Sequence, residues 1–137
     1  MELFDAMAIS ASGMKAQGQR MRVVSENIAN SETVASTSNG DPYRRKTISF
    51  ENRLDRAEGF RKVDVKRVGQ DQSQFRVKYD PTHPAADDKG YIKLPNVNTL
   101  IETMDMREAQ RSYEANLGAI EISRTMMMRS LDLLRSR

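Results

Sequence analysis

The sequence predicts a mainly α fold: two long terminal helices pairing as a coiled-coil-like hairpin, with a small β-rich insert between them. Three observations predict it. Met7, Met14, Met21 and Ile28 repeat every seven residues near one end. Met106, Tyr113, Ile120, Met127 and Leu134 repeat in the same way near the other. Between them the apolar spacing falls to two, the period of a strand. The chain therefore divides into an amphipathic helix over 1–30, a loop and β-hairpin insert over 31–96, and an amphipathic helix over 97–137.

The first helix holds no proline, and Leu3 and Val24 extend its stripe. A seven-residue repeat keeps one face turned to a partner helix and favours a left-handed supercoil. Asn30 is placed to end it, because asparagine tolerates the left-handed backbone that closes helices. Residues 31–41 are rich in Ser, Thr and Asn and read as a surface loop. Tyr43 to Phe50 is a weak strand. Phe60, Val63, Val65 and Val68 form a second, and Phe75, Val77 and Tyr79 alternate strictly in a third. With a turn at Gly69 to Ser73, residues 60–80 read as one β-hairpin. Residues 80–90, "DPTHPAADDKG", carry loop chemistry. In the last segment Thr99-x-x-Glu102 matches a capping box. Leu117 and Leu131 fill offset positions of the stripe. Ser10, Gln17, Gln110 and Arg124 interrupt the stripes, and such residues fix register at some cost in stability.

Composition narrows the function. The chain has 137 residues with 38% hydrophobic, so one thin core is expected. Net charge is +3, too small by itself to indicate nucleic acid or an anionic membrane. There is no cysteine, which excludes disulfides, thiolate metal sites and a cysteine nucleophile. No apolar run is long enough for a membrane span, and the N-terminus lacks the pattern of a cleavable signal.

Catalytic constellations are missing. His83 is the lone histidine, with no second His or Cys to share a metal, and it reads as a turn residue. Asp87 and Asp88 lack the spacing of a calcium loop. The basic cluster Arg44-Arg45-Lys46 is interspersed with carboxylates and reads as a solvated face or a patch meeting an acidic neighbour. Met126-Met127-Met128 suits irregular helix–helix contacts better than a promiscuous groove. No catalytic, cofactor or metal site is expected.

The quoted segments carry a resemblance. "AMAISASGMKAQGQRMRVVSENIANSET" (Ala6 to Thr33) contains an Asn-Ile-Ala-Asn-x-x-Thr element at Asn27, Asn30 and Thr33. "PYRRKTISFE" follows, with Tyr43, Arg44 and Arg45. "DPTHPAADDKGYIKLPNVN" supplies Asp80, Pro81, His83, Pro84, Tyr91, Pro95 and Asn96. "RSYEANLGAIEISRTMMMRSLDLL" includes Asn116. Together they resemble the flagellar basal-body rod proteins, most closely the C-type of the proximal rod.

The resemblance implies a non-enzymatic rod subunit, with one rod-type domain built from both termini. It implies helical assembly with itself and with other axial proteins, and transmission of motor torque across the periplasm. It also implies delivery through the flagellar type III export apparatus without a cleaved signal. Its assembly interface is expected at Met7, Met14, Met21, Val24, Ile28, Met106, Tyr113, Leu117, Ile120, Met127 and Leu131. The residues alone also admit a cytosolic coiled-coil adaptor, or a nucleic-acid-binding module with steep salt dependence.

Overall fold

The computed structural model describes residues 3–38 and 40–135. Met1, Glu2, Asn39, Ser136 and Arg137, which belong to the predicted helices and first loop, lie outside the described residues. The elements run α1 (Leu3–Ala29), β1 (Lys46–Leu54), β2 (Arg61–Gln70), β3 (Arg76–Tyr79), β4 (Tyr91–Leu94) and α2 (Thr99–Arg135). Two terminal helices with a small β insert between them are thus present. The chain packs as two compact units, the first drawn from three segments and the second from two.

The first unit comprises residues 1–21, 49–67 and 107–137. Here α1 and α2 lie side by side and antiparallel. A Cβ added to Gly13 would come 2.9 Å from the Asn116 amide, so glycine is what permits this approach. Arg20 reaches Glu108 at 3.7 Å. Ser10, Ala16, Ala109 and Ser123 are the buried helix positions. The outer part of the β1–β2 sheet belongs to this unit. Its connection closes with Gly59 N–H donating to Asp55 O at 2.8 Å and Asp55 N–H to Phe60 O at 3.0 Å. Ser12 Oγ on α1 accepts from Val63 N–H at 3.2 Å, which ties β2 to the helix.

The second unit comprises residues 22–48 and 68–106. Its buried residues include Val23, Val24 and Asn27 of α1, Ile92 of β4, Pro95 and Val97 beyond it, and Glu102 of α2. Strands β3 and β4 pair antiparallel, from Arg76 opposite Leu94 to Tyr79 opposite Tyr91. The two tyrosine rings meet edge to face with centroids 5.2 Å apart. Gly90 closes the connecting loop at φ 81°, and a Cβ there would come 2.9 Å from the Tyr79 ring.

Three local expectations are corrected. The hairpin expected over 60–80 does not form: β2 pairs with β1, and β3 pairs with β4. Alternation identifies a strand and its faces, but it does not choose the neighbour. Tyr91–Leu94 is a strand the sequence did not reveal. The capping box also fails. Asn98 caps α2, its Oδ1 accepting from Leu100 N–H at 3.1 Å and Ile101 N–H at 3.4 Å. Glu102 does not reach back to the cap, because both its carboxylate oxygens are engaged elsewhere in the unit.

At the end of α1, the Asn30 side chain donates to Glu26 O at 2.8 Å, and its Oδ1 accepts from Thr33 Oγ1 at 3.2 Å. Ser31 N–H turns to Ile28 O at 3.2 Å, tightening the last turn. The chain then leaves the helix with Glu26 O and Ile28 O both engaged.

Candidate functional site

Asn27 and Arg45, both in the motif segments, meet at a carboxylate outside them. Glu102 is 0% exposed. Its Oε2 accepts from Asn27 Nδ2 at 2.9 Å and its Oε1 from Arg45 Nε at 2.6 Å. The Asn27 amide also acts as a strand partner. It donates to Lys46 O at 2.9 Å, and its Oδ1 accepts from Lys46 N–H at 2.8 Å. The same oxygen accepts from Tyr43 OH at 2.8 Å. Both donors and both acceptor positions of this amide are therefore filled.

Arg45 extends the cluster. Its guanidinium lies 3.5 Å from Asp71 and 3.8 Å from Asp105. Its backbone N–H donates to Asn96 Oδ1 at 2.8 Å. Asn96 in turn donates to Asp71 O at 3.1 Å and to Ser73 Oγ at 2.9 Å. Burial by itself pulls the Arg45 pKa down. The hydrogen bond and charge of Glu102, with Asp71 and Asp105, outweigh that and hold it above the ordinary value. The neighbouring basic residues diverge: Arg44 lies 4.1 Å over the Phe75 ring, and Lys46 pairs with Glu26 at 2.8 Å. The basic triplet is committed to partners within the chain.

The carboxylates here also set an acid limit. Backbone and hydroxyl hydrogen bonds from Ser73, with help from Arg45, hold the Asp71 carboxyl below its usual range. Its contribution to stability is present above the unfolded pKa of about 4 and is lost as pH falls through the lower folded value. Asp64, Asp55 and Glu26 are lowered as well, chiefly by hydrogen bonds from Val65 N–H, Lys62 and Lys46 respectively. Urea titrations are expected to show stability declining below about pH 4. Asp71→Asn should make that decline shallower without abolishing it. An unchanged slope would mean that Asp71 is not held low in solution.

The remaining motif residues fall elsewhere. Asp80, Pro81, His83 and Pro84 build the β3–β4 loop, and Tyr91 opens β4. Within that loop Asp80 Oδ1 accepts from Thr82 Oγ1 at 2.9 Å, and His83 Nδ1 accepts from Ala85 N–H at 3.1 Å. Pro95 is buried, and its carbonyl accepts from Arg76 Nε at 3.1 Å. Asn30 and Thr33 close α1. Asn116 sits against Gly13 and donates to Ser112 O at 2.9 Å.

The stripe residues are placed unevenly. Val24 is buried, while Met7, Met14, Met21, Ile28, Met106, Tyr113, Ile120 and Met127 are half-buried. Leu117 and Leu131 are exposed, at 40% and 51%. The innermost line of α2 is Glu102, Ala109, Asn116 and Ser123, also spaced by seven and made of small and polar residues. Gln110 and Arg124, expected to interrupt a packed stripe, are exposed. Hydrophobic periodicity does not mark Glu102 or Ser123 as inner residues; their seven-residue spacing to Ala109 and Asn116 does.

An open cleft of about 960 Å³ in the first unit is lined in part by Ala8, Ser12 and Lys15 of α1 and by the β1–β2 connection. Its charges are largely paired, Arg53 with Asp64 at 3.1 Å and Lys62 with Asp55 at 3.0 Å. Among the described residues no group of three or more His, Cys, Asp or Glu side chains is placed to hold a metal ion. No described helix is long and apolar enough to cross a membrane.

Comparison with known proteins matches both ends of the chain. Residues 7–34 match the flagella basal body rod protein family. Residues 88–133 match the C-terminal region of the flagellar basal body rod FlgEFG proteins. Flagellar basal-body rod protein FlgC of Agrobacterium fabrum is 49% identical over 131 residues, covering 96% of this chain and 94% of that one. The FlgC proteins of Bacillus subtilis and Aquifex aeolicus are 37% and 40% identical, each over at least 96% of both chains. The segments that carry the likeness include α1 with the Asn27 element, and the start and body of α2. The chain therefore belongs to the FlgC family of flagellar basal-body rod proteins, and it is a structural subunit of the rod.

Proposed function

We propose that the chain assembles helically with copies of itself and with other rod proteins, and carries motor torque across the periplasm through shared helix contacts. Residues 1–30 and 97–137 act as one rod-type domain, with 31–96 as its insert. The protein reaches its place through the flagellar type III export apparatus, without a cleaved signal. No residue acts as a catalyst, since the task is mechanical.

One observation carries this reading. Helix α2 has large apolar side chains turned to solvent, among them Ile122 at 63%, Met126 at 54% and Leu131 at 51% exposed. Exposed apolar rows of this length mark surfaces that other chains cover. Contacts of one face to a different face of the next subunit, without ring closure, generate helical tubes. The interface set Met7, Met14, Met21, Val24, Ile28, Met106, Tyr113, Leu117, Ile120, Met127 and Leu131 is proposed to serve in two ways. Its half-buried members brace the helix pair, and Leu117 and Leu131 meet neighbours.

The test is complementation. In cells lacking the chain, a tagged copy should restore swimming and copurify with isolated basal bodies. It should also resist protease in spheroplasts unless the rod is dissociated. Recovery of motility with the tagged chain confined to the cytosol would overturn the reading in favour of an adaptor.

A further inference from the structure

The large apolar residues of the two stripes repeat with little distinction, and of the polar residues that interrupt them Gln110 and Arg124 are exposed. Sliding α2 by seven residues along α1 exchanges Met for Tyr, Ile or Met, and leaves the pattern of apolar contacts nearly unchanged. The close approach at Gly13 does not discriminate well either. The residues seven away from Asn116 are Ala109 and Ser123, both small. A slip that brings Gly13 to Ala109 also brings Ala6 to Asn116. The helix pair therefore needs a contact that exists in one register only.

We infer that Glu102, held by Asn27 and Arg45, is the register lock of the helix pair. Glu102 is 0% exposed and Asn27 1%, and they meet at 2.9 Å across the pair. Neither residue has a counterpart of its kind seven residues away: position 20 is Arg, 34 is Val, 95 is Pro and 109 is Ala. Arg45 closes the cluster from the strand side at 2.6 Å. The Lys46 backbone on Asn27 and the Asn96 side chain on the Arg45 backbone attach the insert to the same point. A slip of seven one way sets Glu102 opposite Arg20 and carries Asn27 past α2 to Pro95. The other way sets Asn27 opposite Ala109 and carries Glu102 past α1 to Val34. Every such slip strips the buried amide of its carboxylate, and the second also strands the buried charge. Setting register is the best-attested use of a buried polar group in paired helices.

Disulfide trapping tests the lock, because the chain has no cysteine of its own. Gly13→Cys with Asn116→Cys reports the native register. A Cβ on Gly13 would lie 3.0 Å from Asn116 Cγ, the atom whose place a cysteine sulfur takes, so the two thiols can meet. Gly13→Cys with Ala109→Cys, or with Ser123→Cys, reports a slip of seven residues in either direction. Each pair is equilibrated in a glutathione buffer in three full-length backgrounds: native, Glu102→Gln, and the apolar triple Asn27→Leu/Arg45→Met/Glu102→Leu. In the native background the 13–116 link should exceed both slipped links by at least about tenfold in effective concentration. In the triple variant the 13–109 link should rise at least about tenfold at unchanged helix content. Glu102→Gln, which keeps the shape and loses the charge, should fall between them. If the triple variant does not fold, the Glu102→Gln result decides. Slipped links that stay at the native level in every folded background would overturn the inference.

Discussion

Replacing Arg45 by methionine is expected to cost more stability than replacing Glu102 by alanine, about 4–5 kcal/mol against about 3 kcal/mol. The two residues share one ion pair, so the asymmetry comes from what each partner can do alone. Without Arg45, the Glu102 carboxylate is left at 0% exposure with Asn27 as its one remaining side-chain donor. It cannot reach water and would have to take up a proton or force the packing open. Without Glu102, the Arg45 guanidinium keeps Asp71 at 3.5 Å and Asp105 at 3.8 Å, and is already 23% exposed. Solvent can take over part of the lost interaction. Urea denaturation of the two variants at neutral pH checks the order. Replacing all three partners by apolar residues of similar volume should cost far less than either single change, since no buried charge is then stranded. Equal losses for the two single variants, or losses below about 1 kcal/mol, would show that the cluster is open to water in solution.

The same cluster shows where the sequence was legible. The two helices were readable because seven-residue spacing and absence of proline agree along each, and Asn30 closes the first. Asn27 stood out in the Asn-Ile-Ala-Asn element, but its four hydrogen bonds did not, because all three partner residues, Tyr43, Lys46 and Glu102, lie in other segments of the chain. Glu102 was visible only as a capping carboxylate, the local use of a Glu three residues after a Thr. Tertiary partners on both oxygens won over that local use, and Asn98 took the cap instead. The inner line of α2 was misplaced for a related reason. Hydrophobic periodicity selects large apolar residues, which gave Met106, Tyr113, Ile120 and Met127. The helices approach closely at Gly13, and close approach favours small residues at the centre, so Ala109 and Ser123 are buried and the large side chains flank them. The strand partners were misassigned because Gly69 to Ser73 read as a hairpin turn joining β2 to β3, whereas β2 pairs with β1 and β3 with β4.

Replacing Ile122 and Met126 together by aspartate is expected to leave the fold intact and abolish swimming. The two residues are four apart on α2, so they share one face. They are 63% and 54% exposed, while neighbouring Ser123 is 8% exposed and turned inward. Charges placed in solvent change stability by no more than about 0.5 kcal/mol. The same charges inside a contact between subunits would be desolvated without partners, at a cost of several kcal/mol per site, enough to prevent incorporation. Thermal unfolding of the purified double variant should therefore match the parent. Cells carrying it should make and export the protein but yield basal bodies without it. Leu117→Asp, at 40% exposed, should behave in the same way with a somewhat larger loss of stability. Ala109→Asp, at 0% exposed, should instead fail to fold, because it puts a charge between the helices. That contrast separates a face that serves the chain from a face that serves its neighbours. Full motility in the Ile122→Asp/Met126→Asp cells would assign this row of side chains to open solvent in the rod, and the surface that binds neighbours would then have to lie on another face of α2 or on the insert.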